Sequence, residues 1–272
     1  MVIKNFFKKY NTSVKIYKFL RSVSSSLRSN LLLLGLFPIR AKRIIRIPRY
    51  LNNRAKFKKM GGIITHTFPI IDEFRDSAGT ASGHYFHQDL VVAQYIFDSN
   101  PIRHIDFGSR IDSFVAHVAA FRKIEVFDIR PLPDCGHQNI EFQQMDLMDI
   151  TSVVPVTDSI SCLHTIEHFG LGRYGDTVNP KGHLIGFNNL VNMLEHGGRL
   201  YISFPISINN EVHFNAHRSF KPKDILSWAP NRIELIRFDY VDDRGKIHMN
   251  FDLENTNFEV TYGCGIYTFK KL

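Results

Sequence analysis

The stretch Ile102-Arg-His-Ile-Asp-Phe-Gly-Ser-Arg-Ile-Asp-Ser-Phe-Val-Ala-His-Val-Ala-Ala-Phe-Arg-Lys-Ile-Glu-Val-Phe-Asp-Ile129 decides the fold. A short apolar run, Ile102 to Phe107, meets a turn at Gly108. A helix-period segment follows (Phe114, Val115, Val118, Ala119), and then a second apolar run, Ile124 to Phe127, closed by Asp128. Strand, turn, helix and strand in this order make a βαβ unit. Gly108 lets the backbone turn where a side chain would meet a ligand, and the helix after it aims unpaired N–H groups at the mouth of the sheet. Asp128 stands 20 residues after Gly108, where a carboxylate can accept hydrogen bonds from both ribose hydroxyls of a nucleoside. On this segment alone, an ordinary βαβ unit with a turn glycine remains the alternative.

Charge divides the 272 residues into two parts. No Asp or Glu precedes Asp72, and that segment holds 16 of the 34 Lys and Arg residues. From Asp72 to Leu272, 18 basic residues face 26 acidic ones, so a segment of +16 adjoins one of −8. This pattern predicts a basic amphipathic extension over residues 1–62 and a main domain over 63–272. In the extension, Phe6, Phe7, Tyr10, Ile16, Tyr17, Phe19 and Leu20 alternate with Lys8, Lys9, Lys15, Lys18 and Arg21. Apolar residues among cations favour an anionic membrane surface, met through residues 1–60, over nucleic acid. The apolar run Leu31 to Ile39 is far short of the roughly 20 residues of a spanning helix, and no small-x-small site follows it to suggest a secretory signal. A basic helix packed on its own acidic domain or on a partner subunit is the alternative. Cys135, Cys162 and Cys264 are odd in number and widely spread, which suggests a reducing, cytoplasmic compartment and neither a disulfide framework nor a zinc site. If the extension meets lipid, the chain is peripheral on the inner face of the membrane.

The remaining elements follow in order. Gly61-Gly62 to Gly83 reads as a turn-rich linker, and Tyr85 to Phe97 as a helix over the mouth of the site. Strands are expected at Ile140 to Met145, ending in Asp146, at Asp158 to Leu163 and at Arg199 to Pro205. A helix over Leu184 to Leu194 should close at His196-Gly197-Gly198, and another should span Lys223 to Trp228. Ile233 to Val241 and Phe258 to Phe269 follow without a helix between them, so the sheet should end in an antiparallel pair. The expected architecture is a Rossmann-like, doubly wound, seven-stranded α/β sheet with an antiparallel last strand, plus the basic N-terminal helical extension.

Ile105-Asp106-Phe107-Gly108 resembles the first motif of class I S-adenosylmethionine (SAM) methyltransferases. Leu163-His164-Thr165-Ile166-Glu167-His168 resembles their fourth motif, and Leu194-Glu195-His196-Gly197-Gly198-Arg199-Leu200 their Leu-x-Pro-Gly-Gly-x-Leu turn. More closely, His84 to Leu90, Asp106 to Asp112, Asp128 to Leu132, His168 to Asp176 and Phe214 to Arg218 resemble an uncharacterised methyltransferase-like family of nematodes and bacterial surface-polysaccharide gene clusters. The resemblance covers residues 63–272 and implies SAM as cofactor. Its binding residues would be Asp106, Gly108, Ser109, Arg110, Asp128, Ile129, Asp146, Leu147 and His164. It departs at Arg110 and Asp112, where methyltransferases carry glycine, so these side chains either remodel the amino-acid end of the cofactor pocket or mark a different pose.

Methyl transfer to a hydroxyl needs positioning and removal of a proton, and His168, Glu167 and His217 are the candidate bases. A glycan or other small molecule would be the acceptor. His164-Thr-Ile-Glu-His168 also spells an inverted zinc-peptidase motif, but that motif needs both histidines on one helical face, and here His164 ends a strand. No metal is expected. A binding or scaffolding protein that has lost turnover is the competing class, favoured by Arg110 and Asp112.

Overall fold

The computed structural model describes residues 45–71, 73, 76–149, 156–254 and 260–272, which fall into two compact units meeting between Gly79 and Thr80. In the first unit, helix α1 (Ile47–Lys59) begins with Pro48 in its first turn and ends with Lys56, Lys58 and Lys59, cations that complement the helix dipole. None of its residues is buried. The amphipathic pattern at Phe6 to Arg21 and the leucine run at Leu31 to Leu34 lie outside the described residues. Among those described, no helix is long and apolar enough to cross a membrane.

The second unit is the α/β domain. Its strands are β1 (His104–Phe107), β2 (Ile124–Asp128), β3 (Ile140–Gln144), β4 (Thr157–Leu163), β5 (Leu194–Ile206), β6 (Glu211–His213), β7 (His217–Ser219), β8 (Ile233–Val241), β9 (Ile247–His248) and β10 (Gly263–Lys271). The main sheet runs β3-β2-β1-β4-β5-β10-β8-β9. β1 to β5 are parallel, and β10 enters antiparallel between β5 and β8. The sheet thus has eight strands where seven are expected. The eighth, β9, is only two residues long and arises because the Asp242 to Lys246 turn folds the chain back onto β8, with Val241 opposite Ile247.

The central strands are buried on both faces, as a parallel sheet covered on both sides requires, with the polar row of His104, Asp106, Ser159 and Ser161 satisfied by its own hydrogen bonds on one of them. β1 is buried throughout, and β4 nearly so. Helix α2 (His84–Ser99) and the helical segment Ile111–Ala119 cover one face through Val92, Ile96, Phe114, Val115 and Val118. The other face packs Ile105, Ile160, Ile202 and Phe204 against Phe187, Leu190 and Val191 of α3 (Gly182–Met193). The turn expected at His196-Gly197-Gly198 is instead the irregular start of β5. Pairing with β4 shifts between Thr157, opposite Leu194, and Ser159, opposite Arg199, and the intervening residues bulge out. The expected helix at Lys223 to Trp228 is a single 3-10 turn, Asp224–Ser227.

Candidate active site

The carboxyl ends of β1, β2, β3 and β4 open into a cleft of about 580 Å³, within the range of about 300–1,000 Å³ common for small-molecule sites. This is the end of a parallel sheet where ligands bind, at the point where strand order reverses. Phe107, Phe127, Met145, Leu147, Leu163 and Phe169 give the cleft apolar walls, and the Phe107 and Phe127 rings stack at 5.2 Å.

Of the residues expected to hold a cofactor, Gly108, Arg110, Asp128, Ile129, Asp146, Leu147 and His164 line this cleft. Gly108 has φ +70°, and a Cβ there would come within 2.3 Å of Thr165 Cγ2, so glycine is required both for the turn and for the approach of the β4 loop. Asp128 ends β2 with its carboxylate engaged by Arg130, whose backbone N–H and Nε donate to Oδ1 at 2.8 and 2.9 Å and whose Nη2 donates to Oδ2 at 2.5 Å. The same guanidinium lies 4.6 Å from the centre of the Tyr174 ring.

Two of the residues expected to hold a cofactor lie behind the cleft wall. Asp106 and Ser109 are buried and do not line the cleft. The Asp106 carboxylate instead accepts hydrogen bonds from Ser109 Oγ (2.6 Å), Ser109 N–H (3.1 Å) and Ser161 Oγ (2.5 Å), while Ser109 Oγ accepts from the Leu163 N–H at 3.1 Å. Burial raises the Asp106 pKa to about 7 against the opposing effect of these bonds. The network ties the glycine turn to β4 and so positions the site from beneath. Position 110 does not demand glycine, because its backbone is ordinarily extended (φ −71°, ψ 126°). Arg110 pairs with Asp112 through two bonds of 3.1 and 2.9 Å, so the two departures from the glycine pattern engage one another at the rim.

At the end of β4 the backbone enters the left-handed region at His164 (φ +49°), an uncommon conformation for a non-glycine residue and a frequent mark of a functional position. His164 Nδ1 lies 2.9 Å from Glu167 Oε1, and His168 Nε2 lies 3.7 Å from the same oxygen. Glu167 thus stands between the two histidines, which the strand-end reading kept apart. His168 Nδ1 donates to the Ala216 carbonyl at 2.6 Å, which leaves Nε2 as the acceptor nitrogen. Burial lowers the His168 pKa against the opposing charge of Glu167, so the ring is neutral near pH 7. For His164, burial acts downward, yet Cys264 and Glu167 beside it hold the pKa well above the usual histidine range. His217 opens β7, stacks on His213 at 4.8 Å and also lines the cleft. Its pKa is lowered by burial and then by His213. Glu167 Oε2 and His217 Nε2 are buried without a hydrogen-bond partner, which is unusual unless a ligand or water supplies one.

The loop carrying His168 is held from within. Asp176 accepts the N–H groups of Gly170 (2.8 Å), Gly172 (3.1 Å) and Tyr174 (3.1 Å), and the buried Arg218 donates to the Phe169 carbonyl at 2.6 Å. Gly170, at φ +75°, would clash with Asn179 O if it carried a Cβ. Sequence reading did not select His84, Tyr85, Arg130, Arg173, Tyr174 or Tyr262 as site residues, and all of them line the cleft. Most fall within strings already quoted for the resemblance. Tyr262 had no local signal, because only the insertion of β10 beside β5 brings it there.

Sheet order and site position define the Rossmann-like fold of class I SAM-dependent methyltransferases. A family described as "Caenorhabditis protein of unknown function, DUF268" matches residues 140–228. Among curated proteins, none matches the sequence. Solved structures do match. One is the Burkholderia thailandensis 1,6-didemethyltoxoflavin-N1-methyltransferase with bound 1,6-didemethyltoxoflavin and S-adenosylhomocysteine (12% identity, TM-score 0.50, covering 86% of this chain and 90% of that one). Another is the [4+2]-cyclase SpnF (12% identity, TM-score 0.51, covering 84% of this chain and 96% of that one).

Proposed function

We propose that this chain is a SAM-dependent methyltransferase acting on a hydroxyl group. The observation that carries this reading is the juxtaposition in one cleft of two unlike halves. On one side stand the Gly108 turn, Asp128 and the Asp146–Leu147 loop, and on the other the His164, Glu167, His168 and His217 group with its unpartnered polar atoms. The first half suits a nucleoside: Asp128 would take the ribose hydroxyls, and the Phe107, Phe127 and Leu147 walls the adenine. SAM, when bound, supplies the electrophilic methyl group. The second half suits an acceptor. His168 Nε2 would accept the hydroxyl proton, with Glu167 stabilising the resulting imidazolium, while His217 holds the acceptor in line.

The acceptor in this reading is a sugar hydroxyl of a surface polysaccharide or its lipid-linked precursor. Tyr85, Tyr174 and Tyr262 line the cleft, as aromatic residues of a sugar site would, and the +16 charge of the first 71 residues suits an anionic membrane on which such precursors are built. The test is transfer of labelled methyl from SAM to a glycan extract of the native host. Label in the sugar fraction supports the proposal, and SAM binding without labelled glycan contradicts the acceptor assignment. The competing reading is a fold that has left methyl transfer. Arg130 occupying the Asp128 carboxylate favours it, and the cyclase named above has a fold of this kind. Absence of any SAM binding would decide for it.

A further inference from the structure

At the cleft, three side chains from distant parts of the chain converge: His84 in the first turn of α2, His164 after β4 and Cys264 in β10. One ligand atom of each, an imidazole nitrogen or the thiol sulfur, lies within 4.8 Å of the other two. Their hydrogen bonding prepares them for a cation. His164 directs Nδ1 at Glu167 Oε1, so its Nε2 faces the cluster, and that nitrogen is buried without a hydrogen-bond partner. A carboxylate behind an imidazole is the arrangement that orients a metal-binding histidine and raises its basicity. The Cys264 sulfur is fully buried, and its contacts to Gln88 Oε1 (3.6 Å) and Gly265 O (3.7 Å) are long.

We propose that His84, His164 and Cys264 form a three-ligand site for a soft divalent cation, zinc first. Two imidazoles and a thiolate are a donor set that suits zinc and leaves a fourth position of a tetrahedron open. Zinc bonds of about 2.0–2.3 Å imply ligand atoms about 3.3–3.8 Å apart, so side-chain rotations of about 1 Å close the site. Binding is balanced by release to solvent of the Cys264 thiol proton and of the proton carried on His164 Nε2. Because His84 and His164 both line the cleft, the ion borders the space assigned to the acceptor, where it could hold and acidify a hydroxyl. That last role rests on the methyl-transfer reading, whereas the site does not. The three residues are far apart in sequence, so no local spacing marks them as a set.

The test is titration of the full chain with Co²⁺ alone and then displacement by Zn²⁺. The proposal expects one equivalent of cobalt with tetrahedral visible bands and a thiolate-to-cobalt charge-transfer band, and loss of all bands on adding zinc. Cys264→Ser should abolish the charge-transfer band, and His84→Ala should weaken zinc binding by at least about tenfold. Since Cys264 is buried, circular dichroism establishes that its variant folds, and the more exposed His84 variant provides an independent reading. His213→Ala, in the other histidine pair, should change nothing. Cobalt bound without a thiolate band, or zinc affinity unchanged in His84→Ala but lost in His213→Ala, overturns the proposal. Neither outcome bears on SAM binding, so failure here is distinguishable from failure of the methyltransferase reading.

Discussion

Arg130 holds both carboxylate oxygens of Asp128, the residue proposed to receive a ribose. The pair keeps a nearly buried carboxylate compensated, but a nucleoside that uses the same oxygens must displace or share the guanidinium. Arg130 is half-exposed and has the Tyr174 ring beside it, so it has somewhere to go. Arg130→Ala should therefore tighten S-adenosylhomocysteine binding by up to about fivefold, since a partly exposed ion pair is worth about 1 kcal/mol or less. Calorimetry reads the change, and weaker binding by the variant would make Arg130 a ligand contact instead of a competitor.

His168 offers a neutral imidazole with its acceptor nitrogen near Glu167. His168→Ala should lose about 10²- to 10⁴-fold in kcat while SAM affinity stays within twofold, the signature of a lost general base. The wild-type kcat should rise with pH as His168 deprotonates, and its lowered pKa puts that limb on the acid side of 6.5. An equal loss of cofactor binding would assign His168 a structural role.

Much of this was legible before the structure. The β1–β2 unit, the helix before it and the antiparallel ending follow from short-range apolar periodicity, which local sequence records. What was hidden depends on topology. Cys264 and Tyr262 reach the site because β10 slides between β5 and β8, a pairing no local pattern states. The surroundings of Asp106 were hidden for a related reason: its side chain bonds Ser109 and, across the sheet, Ser161, a partner 55 residues away. Gly170, Asp176 and Arg218 look functional in the quoted strings, yet they act by shaping the His168 loop.

His104 is fully buried in β1, with Nδ1 2.8 Å from Ser159 Oγ and Nε2 3.1 Å from Ser161 Oγ, and burial depresses its pKa from 6.5 to about 3. A histidine kept neutral by the fold contributes stability that is complete above its unfolded pKa and is lost as pH falls toward the folded value. Below about pH 6.5 each unit costs about 1.4 kcal/mol, so the loss from this one ring is about 2 kcal/mol at pH 5. Urea unfolding at pH 7.5 and 5 should show this loss in wild type and a smaller one in His104→Gln. Identical slopes would place the acid sensitivity in other groups.

The basic segment makes its own prediction. Full-length protein should sediment with anionic phospholipid vesicles, remain in solution with zwitterionic ones and release as salt rises from about 0.05 to 0.5 M, as expected when the Debye length shortens. Binding to both vesicle types, insensitive to salt, would contradict an electrostatic lipid contact.

The central claim is that the cleft holds SAM with its ribose on Asp128, and calorimetric titration of SAM into wild type and Asp128→Ala tests it most directly. The account predicts one site per chain in wild type and at least about tenfold weaker binding in the variant, the scale of losing hydrogen bonds to a charged group. Equal affinity in the two proteins, or no binding to folded wild type, would contradict it.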